Sequence, residues 1–173
     1  MRVFLAIELS DKIKAEIEKQ LFFLKKEYPS FTWIPKENYH ITVQFYGEIN
    51  DEKKLVNRLK TQLFDKESFY LYGGELDFFM HDKITLFLKF YKEKKLFLIE
   101  KELTAKKNYI PHLTFGRCRI PSKQQYFLLK KRLEKIQIDI SFPVKELVLL
   151  ESIPNGRFPH YRKIATIPLV TLK

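Results

Sequence analysis

Cysteine is almost absent. Cys118 stands alone in 173 residues, which excludes an intrachain disulfide and a thiolate cluster within one chain. The residue itself reads as a small strand side chain. Long apolar runs are also missing; none approaches the roughly 20 residues that span a bilayer. The opening Met1-Arg2-Val3-Phe4-Leu5-Ala6-Ile7-Glu8-Leu9 lacks the charged, apolar and small-residue zones of a secretory signal. It reads as a first strand, and a cytoplasmic protein is the expectation. Acidic residues are in short supply too: 21 Asp+Glu stand against 32 Lys+Arg, for a net charge of +11. Such an excess favours a polyanionic partner, whether RNA, DNA or an anionic membrane surface. The lysines are dispersed in pairs such as Lys25-Lys26, Lys94-Lys95, Lys106-Lys107 and Lys130-Lys131, so no basic tail stands out. Hydrophobic residues at 45% and charged residues at 31% describe a folding chain, one compact domain or two small lobes sharing a core.

The chain repeats itself. Val3-Phe4-Leu5-Ala6-Ile7 leads into a polar helix ending Ile17-Glu18-Lys19-Gln20-Leu21. Leu86-Phe87-Leu88-Lys89-Phe90 leads into another ending Ile99-Glu100-Lys101-Glu102-Leu103. Each is followed by a strand of one pattern, His40-Ile41-Thr42-Val43 and His112-Leu113-Thr114-Phe115. Then comes a helix, Asp51 to Leu63 or Ser122 to Leu133, and Glu75-Leu76 and Glu146-Leu147 open matching apolar stretches. A last strand runs from Tyr161 to Leu169. Ser10 caps the first helix, whose apolar stripe is Ile13, Ile17, Leu21 and Leu24. Leu55, Leu59 and Leu63 line the second helix, and Tyr126, Leu129 and Leu133 the one opening at Ser122. These stripes are core faces. The expected fold class is α+β: one bilobal domain over 1–173 with an internal pseudo-repeat, roughly 1–82 and 83–173. Two antiparallel sheets would line a central cleft with the helices outside, and the groove between lobes is the natural place for a site.

Alternation on a strand sends residues i and i+2 to one face. His40 and Thr42 therefore point together, with Ile41 and Val43 behind them; His112 and Thr114 pair likewise, backed by Leu113 and Phe115. If the pseudo-twofold joins these faces, a cleft holds two imidazoles opposite one another with two hydroxyls between. One histidine could activate a nucleophile at phosphorus while the other protonates the leaving oxygen. The threonine hydroxyls could donate to the non-bridging oxygens, where charge accumulates. One such motif carries no weight, since a lone strand histidine is usually a half-buried packing residue; two in equivalent places of a repeat do. Zinc sites favour close His/Cys/Asp/Glu spacing, and one His beside one Thr does not supply it, so neither a metal nor a cofactor is expected.

With these residues the chain resembles the two-histidine (2H) phosphoesterase superfamily, and within it the RNA 2',3'-cyclic phosphodiesterase family, also called the 2'-5' RNA ligase family. The likeness runs through the opening Arg2-Val3-Phe4-Leu5-Ala6-Ile7-Glu8-Leu9 and Trp33-Ile34-Pro35-Lys36-Glu37-Asn38-Tyr39 before the first motif. It continues in Phe45-Tyr46-Gly47-Glu48, Pro111-His112-Leu113-Thr114-Phe115-Gly116-Arg117, Leu149-Leu150-Glu151-Ser152 and Tyr161. The resemblance implies a bilobal fold with a metal-free site between the lobes, and hydrolysis of a 2',3'-cyclic phosphate to a 2'-phosphate. It also implies that His40 is the acid toward the leaving 3' oxygen and that His112 is the base toward water; symmetry alone does not say which.

Two positions depart from the pattern. Gln44 stands where the family often has a basic residue, and alternation puts it on the face of His40, as a contact to phosphate or base. Arg117 matches an arginine that looks like a phosphate contact in relatives, yet strict alternation turns it away from His112 and Thr114. A bulge at Gly116 would bring it round; otherwise it is a solvated strand-end arginine. Tyr161 or Phe158 could stack on a terminal base, or simply pack. His81 reads as a turn residue, His160 as a loop residue, Trp33 as structural and Asn155-Gly156 as a turn.

The expected partner is RNA with a 2',3'-cyclic phosphate end, or a cyclic nucleotide, met by a monomer with no membrane attachment. A 2'-5' RNA ligase would run the same chemistry backwards with a 5'-hydroxyl in place of water. A phosphodiesterase for small cyclic nucleotides or 2'-5' oligonucleotides would use the same pair. A non-catalytic RNA-binding module would explain the charge and leave the paired motifs unexplained.

Overall fold

A computed structural model describes residues 1–104, 109–119 and 121–172; Lys106 and Lys107 lie outside the described residues. Among the described residues, four α-helices and nine strands follow one another as β1 (Arg2–Glu8), α1 (Asp11–Glu27), β2 (Thr32–Trp33), β3 (His40–Glu48), α2 (Glu52–Gln62), β4 (Phe69–Met80), β5 (Lys83–Phe90), α3 (Lys94–Leu103), β6 (His112–Arg119), α4 (Lys123–Glu134), β7 (Ser141–Val144), β8 (Glu146–Ile153) and β9 (His160–Pro168). The fold class is α+β, and every pairing between these strands is antiparallel.

Local chemistry sets the helix starts. The Ser10 hydroxyl accepts from the Ile13 amide, and the Asp51 carboxylate accepts from the Lys54 amide. Ser122 and Gln125 close a reciprocal capping box at α4. The stripes bury Ile17, Leu21 and Leu24 on α1, Leu55 and Leu59 on α2, and Leu129 and Leu133 on α4. They join Leu5, Ile41, Leu86 and Leu113 in one contiguous core. Among the described residues no helix is long and apolar enough to cross a membrane.

The strand order is β7-β4-β5-β6-β3-β1-β8-β9, an open path rather than a closed barrel. Its midpoint is thin. β3 and β6 meet through the single pair Ile41 and Leu113, whereas β1 and β3 pair over seven positions. On one side of this seam β1 lies between β3 and β8; on the other, β5 lies between β6 and β4. β4, from early in the chain, thus pairs with β5, and the late β8 pairs with β1. Both halves of the sheet draw strands from both ends of the chain.

β1 is buried on two faces. Val3, Leu5 and Ile7 enter the main core, while Phe4 and Ala6 form a second cluster with Val148, Leu150 and the half-buried Tyr161. Such double burial suits a central strand and explains its near-continuous apolar run. His160 opens β9 opposite Ile153 instead of lying in a loop. His81 does sit in the bend between β4 and β5, and Gly156 adopts φ +59° between β8 and β9.

Candidate active site

The seam places the two motifs side by side. With Ile41 opposite Leu113 in an antiparallel pair, His40 lies toward Thr114 and Thr42 toward His112. Ile41 and Leu113 are fully buried, so the histidines and threonines face the other way. They line a cavity of about 440 Å³ together with Phe4, Phe45, Arg117 and Tyr161.

Both imidazoles are held alike. The Nδ1 of His40 lies 2.8 Å from the Asn38 carbonyl oxygen, and that of His112 lies 2.8 Å from the Ile110 carbonyl oxygen. A carbonyl only accepts, so each Nδ1 carries the hydrogen and Nε2 is left for chemistry. Two aromatic rings flank each imidazole. Phe4 and Tyr161 stand 4.9 and 5.0 Å from His40, centroid to centroid. Phe79 and Phe87 each stand 5.3 Å from His112. Both pairs of rings also touch each other, Phe4 with Tyr161 and Phe79 with Phe87. Burial pushes the His40 pKa below the usual imidazole value; the bond to Asn38 opposes this, and the nearby His112 adds to the lowering. Burial likewise holds the Tyr161 phenol protonated above its ordinary value, with the Arg117 charge pulling the other way.

Two bulges decide which neighbours reach the cavity. In the β5–β6 ladder Leu86 pairs with Gly116 and Phe87 with Thr114, so Phe115 has no partner of its own. Phe115 and Gly116 are consecutively buried, and Arg117 turns out beside Thr114. Gly116 also allows a close approach between strands. A Cβ there would stand 3.2 Å from both the Thr32 carbonyl oxygen and the Trp33 ring, where β2 crosses β6. The β1–β3 ladder has the same irregularity: Ala6 pairs with Thr42 and Leu5 with Gln44, skipping Val43. Alternation is therefore broken before Gln44, and the placement of Gln44 beside His40 is corrected. Its side chain donates to the neighbouring Phe45 carbonyl at 2.8 Å, and Phe45 lines the cavity in its stead. Phe45 and Arg117 thus occupy equivalent places in the two halves, one apolar and one cationic. Phe158 and His160 do not line the cavity.

Phe4, Phe45, Phe79 and Phe87 are not marked as site residues by the sequence. The signal for Phe4 is the unbroken apolar run of β1, which implies that its second face is also covered. Behind the first motif Tyr39 is buried, donates its hydroxyl to the Glu18 carboxylate, and packs edge-on against Phe115 at 5.5 Å. Glu18 is held in turn by Lys25 at 2.7 Å. Among the described residues no three His, Cys, Asp or Glu side chains gather as a metal-holding group.

A family model described as the 2'-5' RNA ligase superfamily matches residues 11–155. The chain belongs to the 2'-5' RNA ligase superfamily. It is similar to the RNA 2',3'-cyclic phosphodiesterase of Methanocaldococcus jannaschii, with 31% identity over 90% of this chain and 95% of that one. A Thermotoga maritima protein of the same name is 26% identical over 86% of this chain and 82% of that one. Among solved structures, E. coli LigT complexed with 3'-AMP superposes with a TM-score of 0.77 at 17% identity, covering 97% of both chains. A Thermus thermophilus protein superposes with a TM-score of 0.73 at 21% identity, covering 98% of both chains. At those identities the superpositions establish the fold. Membership places the chain in a phosphoesterase family.

Proposed function

We propose that this 2'-5' RNA ligase superfamily member hydrolyses the 2',3'-cyclic phosphate end of RNA to a 2'-phosphomonoester, using His40 and His112 and no metal. The observation that carries the reading is the matched pair of imidazoles, each fixed through Nδ1 and sharing one cavity. His112 Nε2 takes a proton from water as its oxygen bonds to phosphorus. The bond between phosphorus and the 3' oxygen breaks, and His40 Nε2 gives that oxygen its proton. The resemblance to 2H enzymes supplies this order of acid and base. Burial lowers the His40 pKa, and an anionic phosphate in the cavity opposes this by favouring the charged ring that the acid role needs. Thr42 and Thr114 donate to the non-bridging oxygens, Arg117 balances their charge, and Phe45 and Tyr161 offer rings to the terminal nucleoside.

The test is an oligonucleotide ending in a 2',3'-cyclic phosphate, incubated with the protein in EDTA and analysed by phosphorus NMR. A 2'-phosphate end is the expected product. A 3'-phosphate end would mean that the other ester bond is cleaved, and an unchanged cyclic end would overturn the proposal.

A further inference from the structure

Arg117 borders more than the seam cavity. The same side chain lines a neighbouring groove of about 630 Å³, whose walls include Tyr28, Thr32, Lys83, Arg119 and Gln125. The groove follows the far end of the β5–β6 ladder. Lys83 is directly opposite Arg119 there, and Thr85 is opposite Arg117. Like charges set directly across a ladder repel and destabilise it. All three cations are exposed, and among the described residues none has a carboxylate within 4.0 Å. Elsewhere Arg132 and Arg162 are paired, with Glu27 at 2.6 Å and Glu151 at 2.7 Å. Among the described residues the groove lining contains no Asp or Glu. Arg157 reaches the same rim, donating from Nη2 to the Thr32 hydroxyl at 3.0 Å.

Direction follows from the chemistry of the substrate. A cyclic phosphate closes the 3' end, so an RNA whose last nucleotide fills the seam cavity leaves it only on the 5' side. Arg117 and Arg119 are two residues apart on one strand, about 6.6 Å at the usual rise. That distance is comparable to the separation of successive phosphates on an extended single strand. Tyr28, half-buried in the same wall, offers a ring for a base.

We propose that the groove carrying Lys83 and Arg119 binds the nucleotides immediately 5' of the cyclic end, with Arg117 as the junction between groove and seam cavity. This rests on the RNA-end reading given above and assigns that site a single-stranded substrate longer than one nucleotide.

The test compares a 2',3'-cyclic mononucleotide with a short single-stranded RNA bearing the same end, across a salt series. The wild-type KM should climb with salt for the RNA and stay nearly flat for the mononucleotide. The double variant Lys83→Ala/Arg119→Ala should raise the RNA KM about 10-fold near 0.1 M salt. It should also flatten the log–log salt slope by about 1.4, or about 0.7 for each phosphate no longer neutralised. Mononucleotide kinetics should not change. Arg119→Lys, which keeps the charge, should retain the slope. An unchanged RNA KM and slope in the double variant would overturn the groove. So would an equal loss on both substrates, which would place the effect at the seam. Failure of the wild type to hydrolyse either substrate would instead overturn the RNA-end reading.

Discussion

The Nδ1 atoms of His40 and His112 each lie 2.8 Å from the carbonyl oxygen two residues upstream, Asn38 for one and Ile110 for the other. The bond gives both rings the same tautomer, so the two differ in environment alone. Burial and the neighbouring His112 lower the His40 pKa, and the cavity is cationic at Arg117 and apolar at Phe45.

That lowering has a thermodynamic consequence. Between the folded His40 value and the usual imidazole value near 6.5, the unfolded chain binds a proton that the folded chain does not. Stability therefore falls as pH drops through this window, and the loss is complete below the folded value. Urea midpoints at pH 7 and pH 5.5 should differ more in the wild type than in His40→Gln. The same titrations should give kcat/KM a bell-shaped pH profile whose apparent values belong to the pair. A monotonic profile across the histidine range would show that only one imidazole titrates in the reaction.

Tyr161 sets the His40 ring from the side, edge-on at 5.0 Å. Tyr161→Phe keeps the ring and should stay within about 3-fold of wild-type kcat, whereas Tyr161→Ala loosens the imidazole and should lose roughly 10- to 100-fold, the scale of a misplaced catalytic group. If the Phe variant falls as far as the Ala variant, the hydroxyl is the functional part and the packing role is wrong.

Tyr39 supports the motif from behind. Tyr39→Phe removes a buried hydrogen bond to the Glu18 carboxylate, and should cost about 1–2 kcal/mol in urea unfolding. Glu18 keeps its Lys25 partner, so kcat should hold. A large drop in kcat without loss of stability would mean that Tyr39 acts on the chemistry.

The sequence revealed the pairing of His with Thr, because a period of two needs nothing beyond the strand itself. It revealed the first helix through the cap at Ser10, and the helices opening at Asp51 and Ser122 through their apolar stripes. It could not place the bulges, because a bulge is a property of two strands in register. Val43 and Phe115 look like ordinary alternating residues until Leu5 and Leu86 are seen to skip them. Arg117 carried a warning in the adjacent Gly116; Gln44 carried none, and Phe45 took its place. The exchange of β4 and β8 across the seam is equally hidden, since strand partners lie far apart in the chain.

The most direct test of two-histidine catalysis is turnover of a cyclic-phosphate-ended oligonucleotide in EDTA by the wild type, His40→Ala and His112→Ala. General acid–base catalysis is typically worth roughly 10²–10⁴-fold, so each variant should lose about that much in kcat while its thermal unfolding stays cooperative. Wild-type turnover by either variant, or wild-type activity that vanishes in EDTA and returns with a divalent ion, would contradict the account.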